Sequence, residues 1–244
     1  MGKTTSSDDA HLENRLLAAL NAEDYNRLRP HLQVVPLDRG QELLEPGEPI
    51  RHVYFPHRGV VSLVAAMADG TVAEMTTIGR EGVVGFESMT GTDVPVGRAM
   101  VQVSGAASRL ELVRLRRVTW RNDGLEGVLG RYRRALLQQV LQGVACNRVH
   151  ELEERCCRLL LMTNDRAAGD TFDLTQEFLA MMLGVRRPTV TAVARSLKNA
   201  NLIRYSRGVM TITDRRGLEK CTCECYAIIR QTFKRLLPLT YARD

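Results

Sequence analysis

Apolar positions along this chain change their spacing twice, dividing it into three stretches. Between residues 12 and 32 leucines recur at helical intervals, which predicts one or two short helices. From Val34 to about Leu115, short β-rich runs alternate with turn signals: Pro46-Gly47, His57-Arg58-Gly59, Asp69-Gly70, Gly79-Arg80-Glu81-Gly82 and Gly91-Thr92-Asp93. The run VVSLVAAMADGTVAEMTTI reads as a hairpin closed on Asp69-Gly70, a pair favoured in type I′ turns. Strands at about ten-residue spacing, uninterrupted by a long helical pattern, point to an antiparallel barrel or sandwich. A mixed α/β domain is the alternative. From Leu125 the period lengthens: Val128, Leu129, Tyr132, Leu136, Val140, Leu141 and Val144 recur every three or four residues. That predicts one amphipathic helix of roughly 20 residues and roughly 30 Å, followed by a second helical stretch from Glu151 to about Asn164. Such a helix can pack on its own barrel, pair with its copy in a second subunit, or do both.

The most informative stretch runs from Leu174 to Ile212, LTQEFLAMMLGVRRPTVTAVARSLKNANLIRYSRGVMTI. Thr175 is a suitable helix cap, since its hydroxyl can accept from a first-turn amide. Phe178, Leu179, Met182 and Leu183 then form one apolar side. Gly184 supplies a turn that needs positive φ, and Val185 plugs the corner. A second helix follows with Pro188 in its first turn, where proline is tolerated. Its inner face is Val190, Val193, Ala194 and Leu197; its outer face carries Arg187, Thr189, Thr191, Ala192 and Arg195. The run LIRYSRGVMTI reads as a small hairpin around Arg207-Gly208. A helix lying in a major groove needs short, polar or basic outer residues that reach base edges, and arginine pairs bidentately with guanine. Arg186 and Arg187 stand at the end that enters the groove. Thr175, Gln176, Arg195 and Arg207 suit phosphate contacts, which position without reading sequence.

Charge supports this reading. The net charge is +6, and the residues from Asp170 onward hold 13 Lys and Arg against 7 Asp and Glu, so they carry all of it. A basic unit beside a neutral one fits a polyanionic partner. No apolar run has the length of a membrane span, and the first residues, MGKTTSSDDAHLEN, lack the core of a secretory signal, so a cytoplasmic address is expected. The six cysteines are then reduced thiols without the spacing of a zinc ribbon. Cys221, Cys223 and Cys225 read as part of one helix from about Asp214 to Leu236. There Cys223 points away from the other two, so they read as small buried hydrophobes and no metal site is expected. A thiol- or metal-based redox sensor is the alternative. His52 and His57 flank a strand start and His150 begins a helix, with a haem or metal role as the alternative reading, and no nucleophile triad, carboxylate pair or phosphate loop marks an enzyme.

Taken together these residues resemble the Crp/Fnr superfamily of bacterial transcription regulators, from about Leu12 to Ile212. The resemblance is most specific over LTQEFLAMMLGVRRPTVTAVARSLKNANLI; GQELLEPGEPIRHVYFPHRGVVSL resembles the start of the family's barrel. It implies an α+β chain. An antiparallel β-barrel sensor domain of the cyclic-nucleotide-binding, jelly-roll kind would span 12–123. A dimerisation helix would span 124–149, with Leu129, Tyr132, Leu136, Val140 and Val144 on its seam. A winged helix-turn-helix with a C-terminal helix would span 150–244. It further implies a homodimer on a palindromic operator with half-sites roughly 34 Å apart, and RNA polymerase as a partner if the regulator activates.

Two departures limit the carry-over. Nucleotide-binding members have a Gly-Glu pair for the ribose and an arginine for the phosphate. Here Arg98-Ala99 fits the phosphate side, but Phe86 follows Gly85 where the glutamate would stand, and Glu81 or Glu87 serves only with a shifted loop. Gly85-Phe86 resembles instead the branch that senses oxygen or redox state without a nucleotide. That branch holds its cluster on cysteines ahead of the barrel, and none precedes Cys146. No resident cofactor is expected, and the effector is left open between a cyclic nucleotide and another small molecule. Second, the family's usual Glu and Arg of the recognition helix fall on Pro188 and Ala192, so base reading shifts to Arg186 and Arg187.

Overall fold

The computed structural model describes residues 10–119 and 123–237. The outermost N-terminal residues, the junction at 120–122 and the last seven residues lie outside the described residues. Two short helices, α1 (Arg15–Ala18) and α2 (Ala22–Leu28), open the described chain, capped by the Asn14 and Asn21 side chains. Strands β1 (Gln33–Leu37), β2 (Glu42–Leu44), β3 (His52–Ala66), β4 (Val72–Ile78) and β5 (Arg98–Glu111) form one antiparallel sheet. Its order is β1-β5-β3-β4, with β2 pairing β5. The two long strands run from His52 opposite Glu111 to Val64 opposite Arg98, with register shifts at Pro56, Arg58 and Val60. Pro56 has no amide to give a ladder and so sits where the register breaks. Phe55, Val60, Val61, Val101, Ala107 and Leu110 are almost wholly buried inside.

The β3–β4 connection is not the two-residue type I′ turn expected at Asp69-Gly70. The last pair is Ala66 with Val72, and the Gly70 amide donates to the Met67 carbonyl at 3.0 Å with only Gly70 at positive φ. A type I turn ending on a left-handed glycine closes the longer loop, because Asp69 stays in an ordinary conformation.

After α3 (Leu112–Thr119), helix α4 (Asp123–Val149) runs for 27 residues, longer than the apolar period indicated. Leu129, Tyr132, Ala135 and Leu136 are buried against the chain's own barrel. The Tyr132 hydroxyl donates to the Val83 carbonyl at 3.3 Å, and the Gln139 amide to Thr76 Oγ1 and the Thr77 carbonyl at 2.6 and 2.8 Å. Farther along, Leu137, Leu141 and Val144 are 58%, 55% and 65% exposed on a different face. Helix α5 (Leu152–Asn164) follows, closed at its start by a reciprocal Glu151–Glu154 capping box.

The C-terminal helix expected over 214–236 is two helices, α8 (Arg215–Cys221) and α9 (Cys225–Leu236). Thr222 is extended, and the CTCEC run is poor in strong helix formers, so the chain turns there. Ile229 and Phe233 are buried as α9 packs back on α4. Among the described residues no helix is long and apolar enough to cross a membrane.

Candidate nucleic-acid interface

Strand β6 (Thr171–Asp173), helices α6 (Gln176–Leu183) and α7 (Arg187–Asn199), and strands β7 (Ile203–Ser206) and β8 (Val209–Ile212) form the basic unit. Thr175 caps α6, its hydroxyl accepting from the Phe178 amide at 3.2 Å. Leu179, Met182 and Leu183 are buried, and Phe178 is half-buried beside them. The helix closes at Gly184, φ 65°: the Gly184 amide donates to Met181 and the Val185 amide to Ala180, the pairing of a Schellman ending. Any side chain at Gly184 would strain this turn, so the glycine sets the angle of the two helices.

Helix α7 divides as its sequence requires. Val190, Ala194 and Leu197 are buried, whereas Arg186, Arg187, Pro188, Thr189, Ala192 and Arg195 are exposed. Ser196 and Asn199, which the sequence reading passed over, are exposed as well. Arg187 lies 4.0 Å from Glu177, both mostly in solvent, so the pair is weak and the guanidinium stays available. Thr191 differs: its hydroxyl lies 2.8 Å from Gln176 Oε1 and 3.0 Å from the Arg187 carbonyl, tying α7 to α6.

The wing turns on Arg207 and Gly208, φ 50° and 82°, so both central residues have the positive φ of a type I′ turn. Arg207 is exposed at its tip. Arg204 is also exposed, and the outward phase of LIRYSRGVMTI was the signal for it. Wing and helix are joined: the Leu174 amide donates to the Gly208 carbonyl at 2.8 Å, and the Gln176 amide to the Tyr205 hydroxyl at 3.2 Å. The Thr175 hydroxyl and Gln176 amide, expected to face phosphate, thus have partners within the unit.

This unit leans on the barrel through α6. Gln102 Nε2 lies 2.9 Å from Met182 Sδ, and a cleft of about 920 Å³ separates Thr71, Val72 and Ala73 of the β3–β4 hairpin from Phe178, Val185 and Arg186. At its root Arg166 is buried, its Nη2 2.7 Å from Glu81. Burial pushes the Glu81 carboxyl up, but the Arg166 charge and hydrogen bond outweigh this and hold it below the usual range. Arg186 and Arg187 line the edge of that cleft and are exposed, while Thr189, Ala192 and Arg195 of α7 are exposed outside it.

The expected effector residues are arranged differently from a phosphate cradle. Gly85, φ 89°, opens a tight turn in which Phe86 packs on the core and Glu87 is buried, its Oε1 accepting from the Val96 amide at 3.3 Å. Ala99 is fully buried. Arg98 is engaged bidentately by Glu45 at 2.7 and 2.8 Å and by Glu42 at 3.2 Å. His57 bonds Ser108 Oγ at 2.6 Å, as does His11, and burial lowers its pKa to about 4.

Sequence reasoning missed one assembly. Cys146 and His150, one turn apart near the end of α4, meet Cys223 and Cys225, with all four ligand atoms within 4.8 Å of one another. Cys223 lies in the break between α8 and α9 that the single-helix reading removed.

A family model described as a Crp-like helix-turn-helix domain matches residues 154–221. No curated protein matches the chain. Among solved structures, FixK2 from Bradyrhizobium japonicum is similar at TM-score 0.67 and 16% identity, covering 79% of this chain and 98% of that one. TTHB099, a CRP-family transcriptional regulator from Thermus thermophilus, gives 0.64 and 20%, covering 77% and 95%. The c-di-GMP-responsive global regulator CLP from Xanthomonas campestris gives 0.62 and 15%, covering 79% and 99%. The fold of this chain is theirs.

Proposed function

Taking the chain as a Crp/Fnr-type transcription regulator with a helix-turn-helix DNA-binding domain, we propose that it binds double-stranded DNA as a symmetric homodimer, in the cytoplasm. The observation that carries this is the outer face of α7, where Arg186, Arg187, Thr189 and Arg195 stand exposed beside Arg207 of the wing. Arg186 and Arg187 read base edges, Thr189 adds a contact at the helix start, and Arg195 and Arg207 hold phosphates. Thr175, Gln176 and Thr191 fix the angle at which α7 is presented. Three units divide the work: barrel over 12–123, long helix over 124–149 and DNA-binding unit over 150–244.

Leu137, Leu141 and Val144 form the seam between subunits. They follow at i, i+4 and i+7 on a long helix and stay exposed, whereas Leu129, Tyr132 and Leu136 face the barrel. The barrel's effector is not a cyclic nucleotide: Phe86 offers a ribose no acceptor, and Glu45 and Glu42 already neutralise Arg98. RNA polymerase is a second partner if the regulator activates.

Selection of bound fragments from randomised DNA, followed by footprinting, tests the proposal. A two-fold symmetric site with half-sites about one helical turn apart is expected. Enrichment of no sequence, or of a single asymmetric half-site, would refute it.

A further inference from the structure

We propose that Cys146, His150, Cys223 and Cys225 form a four-coordinate site for a single thiophilic divalent cation, zinc by its chemistry. The three thiols are buried and form a sulfur cluster separate from the main apolar core. All four ligand atoms lie within 4.8 Å of one another, and two of the pairs have the spacing of ligands around one ion. Zinc–sulfur bonds of about 2.3 Å and zinc–nitrogen bonds of about 2.0 Å at tetrahedral angles put neighbouring ligand atoms roughly 3.5–3.8 Å apart. Cys146 Sγ lies 3.6 Å from Cys223 Sγ, and Cys225 Sγ lies 3.6 Å from His150 Nδ1. A cubane iron–sulfur cluster has to fit between its ligands and needs a wider cradle than this one.

The surroundings supply what a metal-bound histidine requires. His150 Nε2 lies 3.1 Å from Glu224 Oε2, which fixes the tautomer and leaves Nδ1 turned toward the sulfurs. Gln142 Nε2 donates to Cys225 Sγ at 3.1 Å, an outer contact that orients the sulfur. Backbone design provides the convergence: one helical turn separates Cys146 from His150, and the break after Cys221 swings Cys223 and Cys225 to the same point. A simple disulfide between Cys146 and Cys223 explains neither the histidine nor the third thiol. Bound there, the ion pins the end of α4 to the start of α9, whether or not the chain reads DNA.

The test uses the full chain purified under reductant without chelator. One zinc per chain is expected by elemental analysis, or one equivalent taken up on titration with Zn2+. Co2+ in its place should give the intense visible absorption of tetrahedral thiolate coordination. C146S, C223S and C225S should abolish that spectrum, H150A should weaken and shift it, and C221S should keep it. E224Q should weaken zinc binding about 10–100-fold. The parent's own cobalt spectrum decides the matter even where a variant does not fold. Folded parent that binds neither ion, equal loss in C221S, iron recovered with acid-labile sulfide, or a Cys146–Cys223 disulfide persisting under reductant would each overturn the assignment.

Discussion

Arg166 offers the sharpest perturbation of the fold, because it joins three parts of the chain at a buried point. Its Nε lies 2.9 Å from Glu81 Oε1, Nη1 2.7 Å from Thr77 Oγ1 and Nη2 3.1 Å from Gln139 Oε1, with only 2% of the residue exposed. Its stem packs on Gly79, where a Cβ would collide with it. Arg166→Met keeps the stem and removes the charge, leaving the Glu81 carboxylate buried with the Gly79 amide at 3.2 Å. Breaking a buried pair in this way costs about 3–5 kcal/mol, whereas replacing both partners with apolar groups is often neutral. The double variant R166M/E81M should therefore recover most of the loss. Urea unfolding followed by circular dichroism reads this as a fall in midpoint at constant slope, at fixed protein concentration. A depressed Glu81 contributes stability above its unfolded value near 4.5 and loses it as pH falls, so acid should narrow the gap between parent and R166M. A single-variant cost under about 1 kcal/mol, or a double variant as unstable as the two singles summed, would refute the argument.

Three further outcomes are expected. Arg187→Ala should weaken operator binding by about 1–3 kcal/mol and relax one base pair, while Arg207→Ala should weaken all sequences alike and lower the salt slope by about 1 in quantitative shift assays. Leu141→Glu should shift the chain toward monomer in sedimentation velocity and cost affinity for paired half-sites; unchanged sedimentation would remove Leu141 from the seam. Because His57 is lowered from 6.5 to about 4 by burial, with His11 and Arg58 adding to it, its contribution of about 3 kcal/mol is complete above pH 6.5 and lost as pH falls toward 4. His57→Gln should flatten that limb of the stability profile; an unchanged profile would place the acid sensitivity elsewhere.

What the chain shows before folding is what short-range physics decides. The Thr175 cap, the Gly184 turn and the buried and exposed faces of α7 each depend on residues within about one helical turn, and they appear where the pattern puts them. The long helix is different, because its seven apolar positions exceed one face. Periodicity marks all of them as apolar, but only the fold assigns Tyr132 to the barrel and leaves Val144 in solvent. Arg98 reads as an anion-binding cation until β2 brings Glu45 and Glu42 to it from 53 and 56 positions away. Cys146 and Cys223 are 77 positions apart and meet only because α8 ends at Cys221. The type I′ turn likewise falls in the wing rather than at Asp69-Gly70, since Arg207 accepts positive φ and Asp69 does not adopt it.

The segment from Gly79 to Glu87 leads from Arg166 past α4 to the turn at Gly85 over a few residues. Glu81 holds Arg166 beside the DNA-binding unit, Gly82 abuts the Tyr132 ring of α4, the Val83 carbonyl accepts from its hydroxyl, and Val84 pairs with Tyr54. Gly85 then opens the turn carrying Phe86 and Glu87. Only three residues separate Glu81 from Gly85, and each makes one of these contacts, so a displacement at 85–87 is expected to reach α4 and Arg166. Gly82→Ala probes this directly. Its Cβ would stand 2.5 Å from the Tyr132 hydroxyl and 2.6–2.7 Å from ring carbons, so either α4 or the segment must move. Overpacking of this kind costs about 1–3 kcal/mol. Y132L makes room, and G82A/Y132L should regain part of the stability and of the operator affinity that G82A loses. If G82A unfolds at the parent's urea midpoint and binds operator unchanged, the segment yields freely and carries no coupling between barrel and DNA-binding unit.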